Sequence, residues 1–221
     1  MHATTRVFSN RTEAGQWLAA ALKHLRSVPG LLVLGIPRGG VPVAFEVARA
    51  LHAPLDVFVV RKLGVPWNPE FAMGAIASGG VRILNPDVLA AFEIQPGVVD
   101  KVAREELEEL RRRELAYRGS LTPPTLRHQS VLLVDDGIAT GATMKAAITA
   151  ILALQPRSLI VAAPTASESA LADIRPLVDE TVALSVPAPF HAVAQSYRDF
   201  PQTTDAEVTD LLKRARDWTA P

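Results

Sequence analysis

The sequence predicts an α/β fold built on a doubly wound sheet. Short, continuously apolar runs such as Leu31–Ile36 and Val131–Val134 suit strands that are buried on both faces, as in parallel sheets covered by helices. These runs alternate with segments whose apolar residues recur at helical spacing, and the links between them are short. This alternation is typical of a parallel sheet whose helices lie on its two faces.

The first half of the chain contains two strand signals, each preceded by a predicted helix. Arg11–Leu25 carries apolar residues at helical spacing, and Pro29-Gly30 ends that pattern. The strand Leu31–Ile36 follows and leads to a helix over Val41–Leu51. The next strand is predicted over Asp56–Val60.

The second half returns to the same pattern. We predict strands over Val131–Val134, Leu159–Ala163 and Glu180–Val186, and helices over about Thr143–Leu154 and Glu168–Val178. Together with the two earlier strands, these give a mostly parallel sheet of about five strands.

Two stretches interrupt the alternation. Ala72–Leu84 indicates a hairpin or a glycine-bent strand pair, with Ser78-Gly79-Gly80 as its turn. Pro86–Tyr117 is dominated by a charged helix with a narrow apolar stripe. Such a helix is either a solvated surface element or a cover for the active site or for a partner's surface.

Composition excludes several classes of protein. The 221 residues suffice for one large domain, and 23 Lys and Arg balance 23 Asp and Glu, which argues against a nucleic-acid or membrane-surface binder. The absence of cysteine removes disulfide scaffolds, thiol nucleophiles and thiolate metal sites. No secretory signal is found, and every apolar run is far below the ~18 residues of a membrane helix. We therefore expect a soluble, cytoplasmic protein.

The segment Val131–Met144 carries the strongest signal for a ligand site. Its strand ends in Asp135 and Asp136, and ligands of open α/β sheets bind at the carboxyl ends of the strands. The loop that follows consists of the small residues Ala139, Thr140, Gly141, Ala142 and Thr143. Backbone N–H groups at the start of a helix favour an anion, whereas carboxylates suit sugar hydroxyls or a hydrated divalent cation. The pattern indicates a sugar phosphate; an ordinary strand–turn–helix unit with an acidic turn is the other interpretation.

This segment resembles the phosphoribosyl-diphosphate signature of type I phosphoribosyltransferases, with four hydrophobic residues, two acids and a Thr-Gly loop that ends in Thr. The resemblance implies that Asp135 and Asp136 hold the ribose 2- and 3-hydroxyls and that the loop holds the 5-phosphate. Gly137 departs from the pattern, because many members carry a branched apolar residue there.

The resemblance also implies how the chain is organised. One phosphoribosyltransferase domain would span residues 1–221, with its core at about 31–186 and helices on both faces of the sheet. A small hood subdomain would sit over the carboxyl edge of the sheet. It would be built from the C-terminal segment at about 186–221, either alone or with the helical insertion at about 86–120.

Two further segments offer cations for a polyphosphate. Arg38-Gly39-Gly40 follows the first strand, where tandem glycines let backbone amides approach an anion and Arg38 can neutralise it. It resembles the pyrophosphate loop of the family, although such a tripeptide alone also fits a bare turn. Lys62 follows the predicted strand Asp56–Val60 and is either a second pyrophosphate contact or a surface cation. Residues 64–70 then form either a mobile loop over the ligand or a stiff connection.

A last candidate concerns the acceptor. Phe190 follows the final strand and faintly resembles the aromatic residue that stacks on the base in purine phosphoribosyltransferases. Ala188 and Pro189 precede it where purine-salvage members carry a lysine, so specificity for 6-oxopurines is not implied. Phe190 and Tyr197 could equally be core aromatics.

Taken together, the motifs predict Mg²⁺-dependent transfer of ribose 5-phosphate from phosphoribosyl diphosphate to a nitrogenous base, with release of pyrophosphate. Asp135 and Asp136 would be the catalytic pair, with no covalent nucleophile. The protein itself would offer no metal site, since Mg²⁺ would arrive largely with the substrate. Neither nucleic acid nor membrane is an expected partner, and the fold allows a homodimer.

Two other functions fit the same residues. The main alternative is a non-catalytic sensor or regulator of the same fold, which would bind the sugar diphosphate without transferring it. A hydrolase or phosphatase that uses the aspartate pair as nucleophile and acid is the other.

Overall fold

The computed structural model describes residues 6–120 and 122–219, and its strands form two sheets. The larger sheet is wholly parallel, with strand order β2-β1-β6-β7-β8, and the smaller is antiparallel, with order β3-β4-β5. The strands are β1 Leu31–Gly35, β2 Leu55–Val57, β3 Val60–Val65, β4 Asn68–Ala77, β5 Val81–Leu84, β6 Ser130–Val134, β7 Ser158–Thr165 and β8 Glu180–Ser185. The predicted α/β fold with a five-stranded parallel sheet is confirmed.

Seven helices are described in these residues. They are α1 Arg11–Ala21, α2 Gly40–Leu51, α3 Pro86–Ala91, α4 Pro96–Arg118, α5 Ala142–Ala153, α6 Glu168–Ile174 and α7 Asp205–Thr219. Short 3₁₀ turns cover Lys23–Ser27, Ser78–Gly80, Arg175–Leu177 and Val193–Ser196. No described helix combines the length and the hydropathy that crossing a bilayer requires.

Helices cover both faces of the parallel sheet, which explains why β1 and β6 are buried along their whole length. On one face the packed residues include Leu34, Leu133 and Val161 of the sheet and Ile148 and Ile151 of α5. On the other face they include Val33, Leu132 and Ile160 of the sheet, Leu18 of α1 and Val47 of α2. Because successive strand residues face opposite sides, each strand must be apolar throughout.

The strand order places a crevice between β1 and β6. From β1 the chain crosses to β2 on one side, whereas from β6 it continues to β7 and β8 on the other. Ligands of open α/β sheets bind at such a switch point, outside the carboxyl ends of the two strands. The loops that leave β1 and β6 there are residues 36–39 and 135–141.

The predicted strand Asp56–Val60 is wrong in its extent. Strand β2 ends at Val57, the chain then leaves the parallel sheet, and β3 begins at Val60, opposite Ala77 of β4. The chain stays apolar from Val57 to Val60 as it passes between the two sheets, because Val57, Phe58 and Val59 are buried there. Lys62 therefore lies within an antiparallel strand and not at the end of a parallel one.

The predicted hairpin within Ala72–Leu84 is confirmed. Strands β4 and β5 pair in antiparallel fashion around Ser78–Gly80, where Gly79 and Gly80 have φ of 83° and 75°. Positive φ at both positions explains why the turn contains two glycines. The segment 64–70 belongs to the preceding hairpin, in which Val65 of β3 pairs with Asn68 of β4.

The charged helix α4 supports the small sheet. Its stripe of Val99, Ala103 and Leu110 packs in one cluster with Leu63 of β3 and Met73 of β4. Toward its end the helix also buries two charged side chains, Glu114 and Arg118. This helix is therefore a packed element, and only its remaining face is solvated.

The C-terminal residues divide into two parts. Val193–Ser196 lies at the carboxyl end of β7, where the hydroxyls of Thr165 and Ser196 are 2.8 Å apart. Helix α7 instead packs against α2, α4 and β2, with the rings of Phe45 and Trp218 at 4.9 Å. Val193–Ser196 therefore lies at the carboxyl edge of the parallel sheet, whereas most of α7 packs away from that edge.

Candidate active site

Asp135 and Asp136 lie directly after β6, at the crevice between β1 and β6. The N–H of Asp135 donates to the carbonyl of Ala162 at 3.3 Å, and the N–H of Asp136 donates to Oδ1 of Asp135 at 2.9 Å. Burial raises the pKa of Asp135 well above its ordinary value, and the adjacent charge of Asp136 adds to the rise. The pair is therefore a costly arrangement for a fold to maintain, which is common at functional sites.

The loop after β1 lies against this pair. A Cβ atom at Gly39 would lie 2.0 Å from Oδ2 of Asp136, and one at Gly40 would lie 2.8 Å from the carbonyl oxygen of Val134. Only glycine lets the start of α2 approach the acids so closely. The structure thus brings the predicted Arg38-Gly39-Gly40 loop and the acid pair together.

The loop after the acids is held by its neighbours and leads into α5. Ile138 donates its N–H to the carbonyl of Thr165, and the hydroxyl of Ser167 donates to the carbonyl of Ala139 at 2.6 Å. Gly141, with φ of 73°, is the residue immediately before α5. The predicted residues Ala139, Thr140, Gly141, Ala142 and Thr143 all line one cavity of about 170 Å³, together with Asp135. The cavity lies at the N-terminal end of α5, where anions are favoured.

The C-terminal segment accounts for the unusual Gly137. A Cβ atom at this position would lie 2.3 Å from Cγ1 of Val193 and 3.0 Å from Cγ2 of Thr165. Val193 also lines the 170 Å³ cavity. The space that a side chain at position 137 would need is therefore occupied by Val193 of the C-terminal segment.

Two of the predicted cations lie beside these loops. Lys62 is exposed on β3 and lines a small cleft of about 90 Å³ together with Ala142 and Thr143 of α5. Arg38 is one-third exposed, with Nη1 3.7 Å from Oδ1 of Asp205, the first residue of α7. Lys62 thus shares a surface with the end of the 139–143 loop, and Arg38 directly precedes Gly39, which lies against the acid pair.

Phe190 does not line the cavity beside the 139–143 loop. It is half-buried in the segment between β8 and the 3₁₀ turn Val193–Ser196, and the lining of the 170 Å³ cavity includes Val193 but not Phe190. Tyr197, the other candidate core aromatic, is buried between Phe8 at 5.7 Å and Phe200 at 4.6 Å.

Arg11 and Tyr197 contact Asp136, and sequence reasoning missed both contacts. Nε of Arg11 lies 2.8 Å from Oδ2 of Asp136, and the hydroxyl of Tyr197 donates to the carbonyl of Asp136 at 2.5 Å. Burial raises the pKa of Asp136, and the Arg11 guanidinium opposes that rise. Nothing in the spacing of the chain connects position 11 with position 136, so only the fold reveals the pair.

This geometry defines a doubly wound α/β protein with an acid pair and a small-residue loop, residues 139–143, at its switch point. The chain belongs to the phosphoribosyl transferase domain family, whose model matches residues 20–191. The resemblance to type I phosphoribosyltransferases is thereby confirmed.

Individual relatives are similar to this chain over most of its length. Two Mycobacterium tuberculosis proteins, from strains CDC 1551 / Oshkosh and ATCC 25618 / H37Rv and each named "Putative phosphoribosyl transferase", are 47% identical over 214 residues. That alignment covers 96% of this chain and 48% of theirs, so the chain spans about half the length of these relatives. The crystal structure of TT1426 from Thermus thermophilus superposes with a TM-score of 0.83 at 42% identity, covering 94% of this chain and 98% of that one.

Proposed function

We propose that this protein transfers ribose 5-phosphate from phosphoribosyl diphosphate to a nitrogenous base and releases pyrophosphate. The observation that carries the proposal is the meeting of two loops at one switch point. The acid pair and the 137–143 loop leave β6, and the Arg38-Gly39-Gly40 loop touches the same acids from β1. Few ligands need two carboxylates between two anion sites, and a sugar bearing phosphates at both ends is one.

The acid pair and the anion loop would bind the ribose 5-phosphate half. Ionised carboxylates accept hydrogen bonds only, so Asp135 and Asp136 suit the donating 2- and 3-hydroxyls of ribose. The 5-phosphate would lie in the 170 Å³ cavity, against the backbone N–H groups that open α5 and the hydroxyls of Thr140 and Thr143.

The pyrophosphate half would face the loop after β1. Arg38 and Lys62 would stabilise the negative charge that grows as the bond between C1 and oxygen breaks, and Gly39 and Gly40 let the backbone approach. The new bond joins C1 to a nitrogen of the base, the bonding electrons leave with pyrophosphate, and the nitrogen loses its proton. The protein's contribution is positioning and electrostatics.

Mg²⁺ fits this arrangement as a companion of the diphosphate. Among the described residues no group of three or more His, Cys, Asp or Glu side chains could hold a metal ion. The diphosphate oxygens are hard donors that suit Mg²⁺, whose role would be to neutralise the leaving group. Phe190 stays a candidate for stacking on the base, three residues before the cavity-lining Val193.

The test has a binding arm and a turnover arm. Calorimetry with phosphoribosyl diphosphate and Mg²⁺ should show binding to the natural protein and none to the folded double variant Asp135→Asn/Asp136→Asn. A matched double variant at two exposed acids, Asp100→Asn/Asp210→Asn (57% and 62% exposed), should bind normally. Unchanged affinity in the first variant contradicts the assignment.

The turnover arm separates transfer from sensing. The protein is incubated with phosphoribosyl diphosphate, Mg²⁺ and a panel of purine and pyrimidine bases, and pyrophosphate release is measured. We expect release with at least one base. Tight binding without release from any base would instead establish the non-catalytic sensor.

A further inference from the structure

Asp136 is held from two sides by residues that come from opposite ends of the chain. Nε of Arg11, the first residue of α1, lies 2.8 Å from Oδ2 of its carboxylate. The hydroxyl of Tyr197 donates to its backbone carbonyl at 2.5 Å. Both the side chain and the main chain of one acid are therefore fixed.

Arg11 and Tyr197 both pack against the ring of Phe200. The guanidinium carbon of Arg11 lies 3.7 Å from the centre of the Phe200 ring, and the Tyr197 ring stacks on the same ring at 4.6 Å. Nη1 of Arg11 also donates to the carbonyl of Pro201 at 2.6 Å. Arg11 is thus held in place by contacts other than the one with Asp136.

The ion pair between Arg11 and Asp136 is too buried to be explained as a surface contact. Their side chains are 11% and 14% exposed, so both charges have lost most of their water. A buried ion pair is weak evidence for stability, because the cost of desolvation can exceed the attraction. Its position on one carboxylate of the acid pair points instead to a role in the site.

We propose that Arg11 and Tyr197, which both pack against Phe200, are positioning residues that orient Asp136 to receive a ribose hydroxyl. Gly39 closes in on the same Oδ2 atom that Arg11 holds, so the carboxylate cannot rotate freely. An oriented acceptor binds a sugar hydroxyl without first losing conformational freedom. Arg11, Tyr197 and Phe200 all lie outside residues 20–191, so this cluster lies outside the matched family core. The inference rests on the proposed function, since it assigns the ribose to Asp136.

The test compares ligands that contain a ribose with one that does not. Affinities for phosphoribosyl diphosphate, ribose 5-phosphate and inorganic pyrophosphate, each with Mg²⁺, are measured by calorimetry for the natural protein, Arg11→Gln, Arg11→Lys and Tyr197→Phe. We expect Arg11→Gln to weaken both ribose ligands by about tenfold or more, which is one charge-assisted hydrogen bond converted to affinity. Tyr197→Phe should weaken them by a smaller factor, and Arg11→Lys should restore part of the loss. Pyrophosphate binding should change by less than about twofold throughout, because the inference assigns Asp136 to the ribose and not to the diphosphate.

Each outcome of this comparison either supports or overturns the inference. Equal weakening of all three ligands would mean a structural role and would overturn the inference, as would unchanged affinity for the ribose ligands. Arg82→Gln, which removes an ion pair with Asp100 at the exposed surface, controls for the loss of one arginine. If Arg11→Gln does not fold, Arg11→Lys and Tyr197→Phe decide by the same comparison. Failure of the natural protein to bind phosphoribosyl diphosphate would refute the proposed function itself.

Discussion

At the scale of single residues, Gly39 determines whether the two loops of the site can meet. Its backbone is in the ordinary right-handed helical region, with φ of −62° and ψ of −32°, so alanine would be tolerated conformationally. The obstacle is steric, because the added methyl group would lie 2.0 Å from Oδ2 of Asp136. The carboxylate or the loop would have to move.

We therefore expect Gly39→Ala to impair ligand binding more than folding. An overpacked contact costs about 1–3 kcal/mol, so affinity for phosphoribosyl diphosphate should fall by roughly five- to a hundredfold. Titration calorimetry measures the affinity. Gly97→Ala is the matched control, since nothing lies within 4 Å of a Cβ there. Equal affinities in the two variants would show that the loop adapts.

Asp135 provides a second residue-level prediction, which concerns pH. Burial raises the pKa of this carboxyl in the folded protein above the ordinary 3.8, so the folded state holds the proton more tightly than the unfolded state does. Stability should then fall as the pH rises from about 3.8 through the raised pKa, and the full cost is present above it. An ionised Asp135 is therefore a cost to stability, a common compromise at functional sites.

Asp135→Asn should accordingly be more stable than the natural protein at pH 7.5. Each 1 kcal/mol of this gain should raise the Tm by roughly 2–4 °C in a domain of this size. The difference should shrink as the pH is lowered through the raised pKa toward 3.8, as followed by thermal melts monitored by circular dichroism. Asp210→Asn, at an exposed acid, is the control for the loss of one aspartate. A difference of constant size for Asp135→Asn would contradict the prediction.

At the scale of elements, a buried ion cluster joins α4 to β2. Arg118 lies 2.8 Å from Glu114 and 2.8 Å from Asp56, and it also donates to the carbonyl of Val57 at 2.6 Å. The side chains of Arg118 and Glu114 are 4% and 6% exposed. Removing the cation would leave a buried carboxylate without its partner.

Arg118→Met should therefore destabilise the protein by about 3–5 kcal/mol. The double variant Arg118→Met/Glu114→Leu should recover a large part of this loss, because the uncompensated charge is gone. Arg112→Met, in an exposed pair with Glu109, should cost less than about 1 kcal/mol. Urea unfolding measures all three. A double variant no more stable than Arg118→Met would show that the Glu114 charge is not what costs stability.

The elements that sequence predicted well are those with a clear end. The strand Leu31–Ile36 stops at a proline, and Val131–Val134 stops at two acids, so their positions agree with β1 and β6 to within one residue. The bend after Val57 has no such signal, because the chain stays apolar while it passes from one sheet to the other. Strand β3 was missed for that reason, although its partner hairpin was found through Gly79 and Gly80.

At the scale of the whole molecule, the parts of the site that sequence predicts are again those with a local signal in the chain. The two loops follow strand ends and carry local motifs, so their residues could be named from sequence. Arg11, Tyr197 and Val193 reach the site only because the start of α1 and residues 193–197 pack at the carboxyl end of β6. The balance of 23 basic and 23 acidic residues also masks where the charges lie. Arg11, for example, lies against a buried acid of the site.

The packing of the C-terminal segment against the core can be tested at Gly137 and Val193, which are 56 positions apart in the chain. A Cβ atom at position 137 would lie 2.3 Å and 2.8 Å from the two γ carbons of Val193, and 3.0 Å from Thr165.

Gly137→Ala alone should cost about 1–3 kcal/mol through overpacking. Val193→Ala removes both γ carbons and should itself cost about 1 kcal/mol. Combined, the two substitutions should cost less than their sum by about 1 kcal/mol or more, because each relieves the defect of the other. Gly97→Ala in the Val193→Ala background should be additive, since that glycine has open space around it. Urea unfolding of the four-member cycle gives the coupling energy, and a value near zero would mean that the C-terminal segment does not fill the space left open by Gly137.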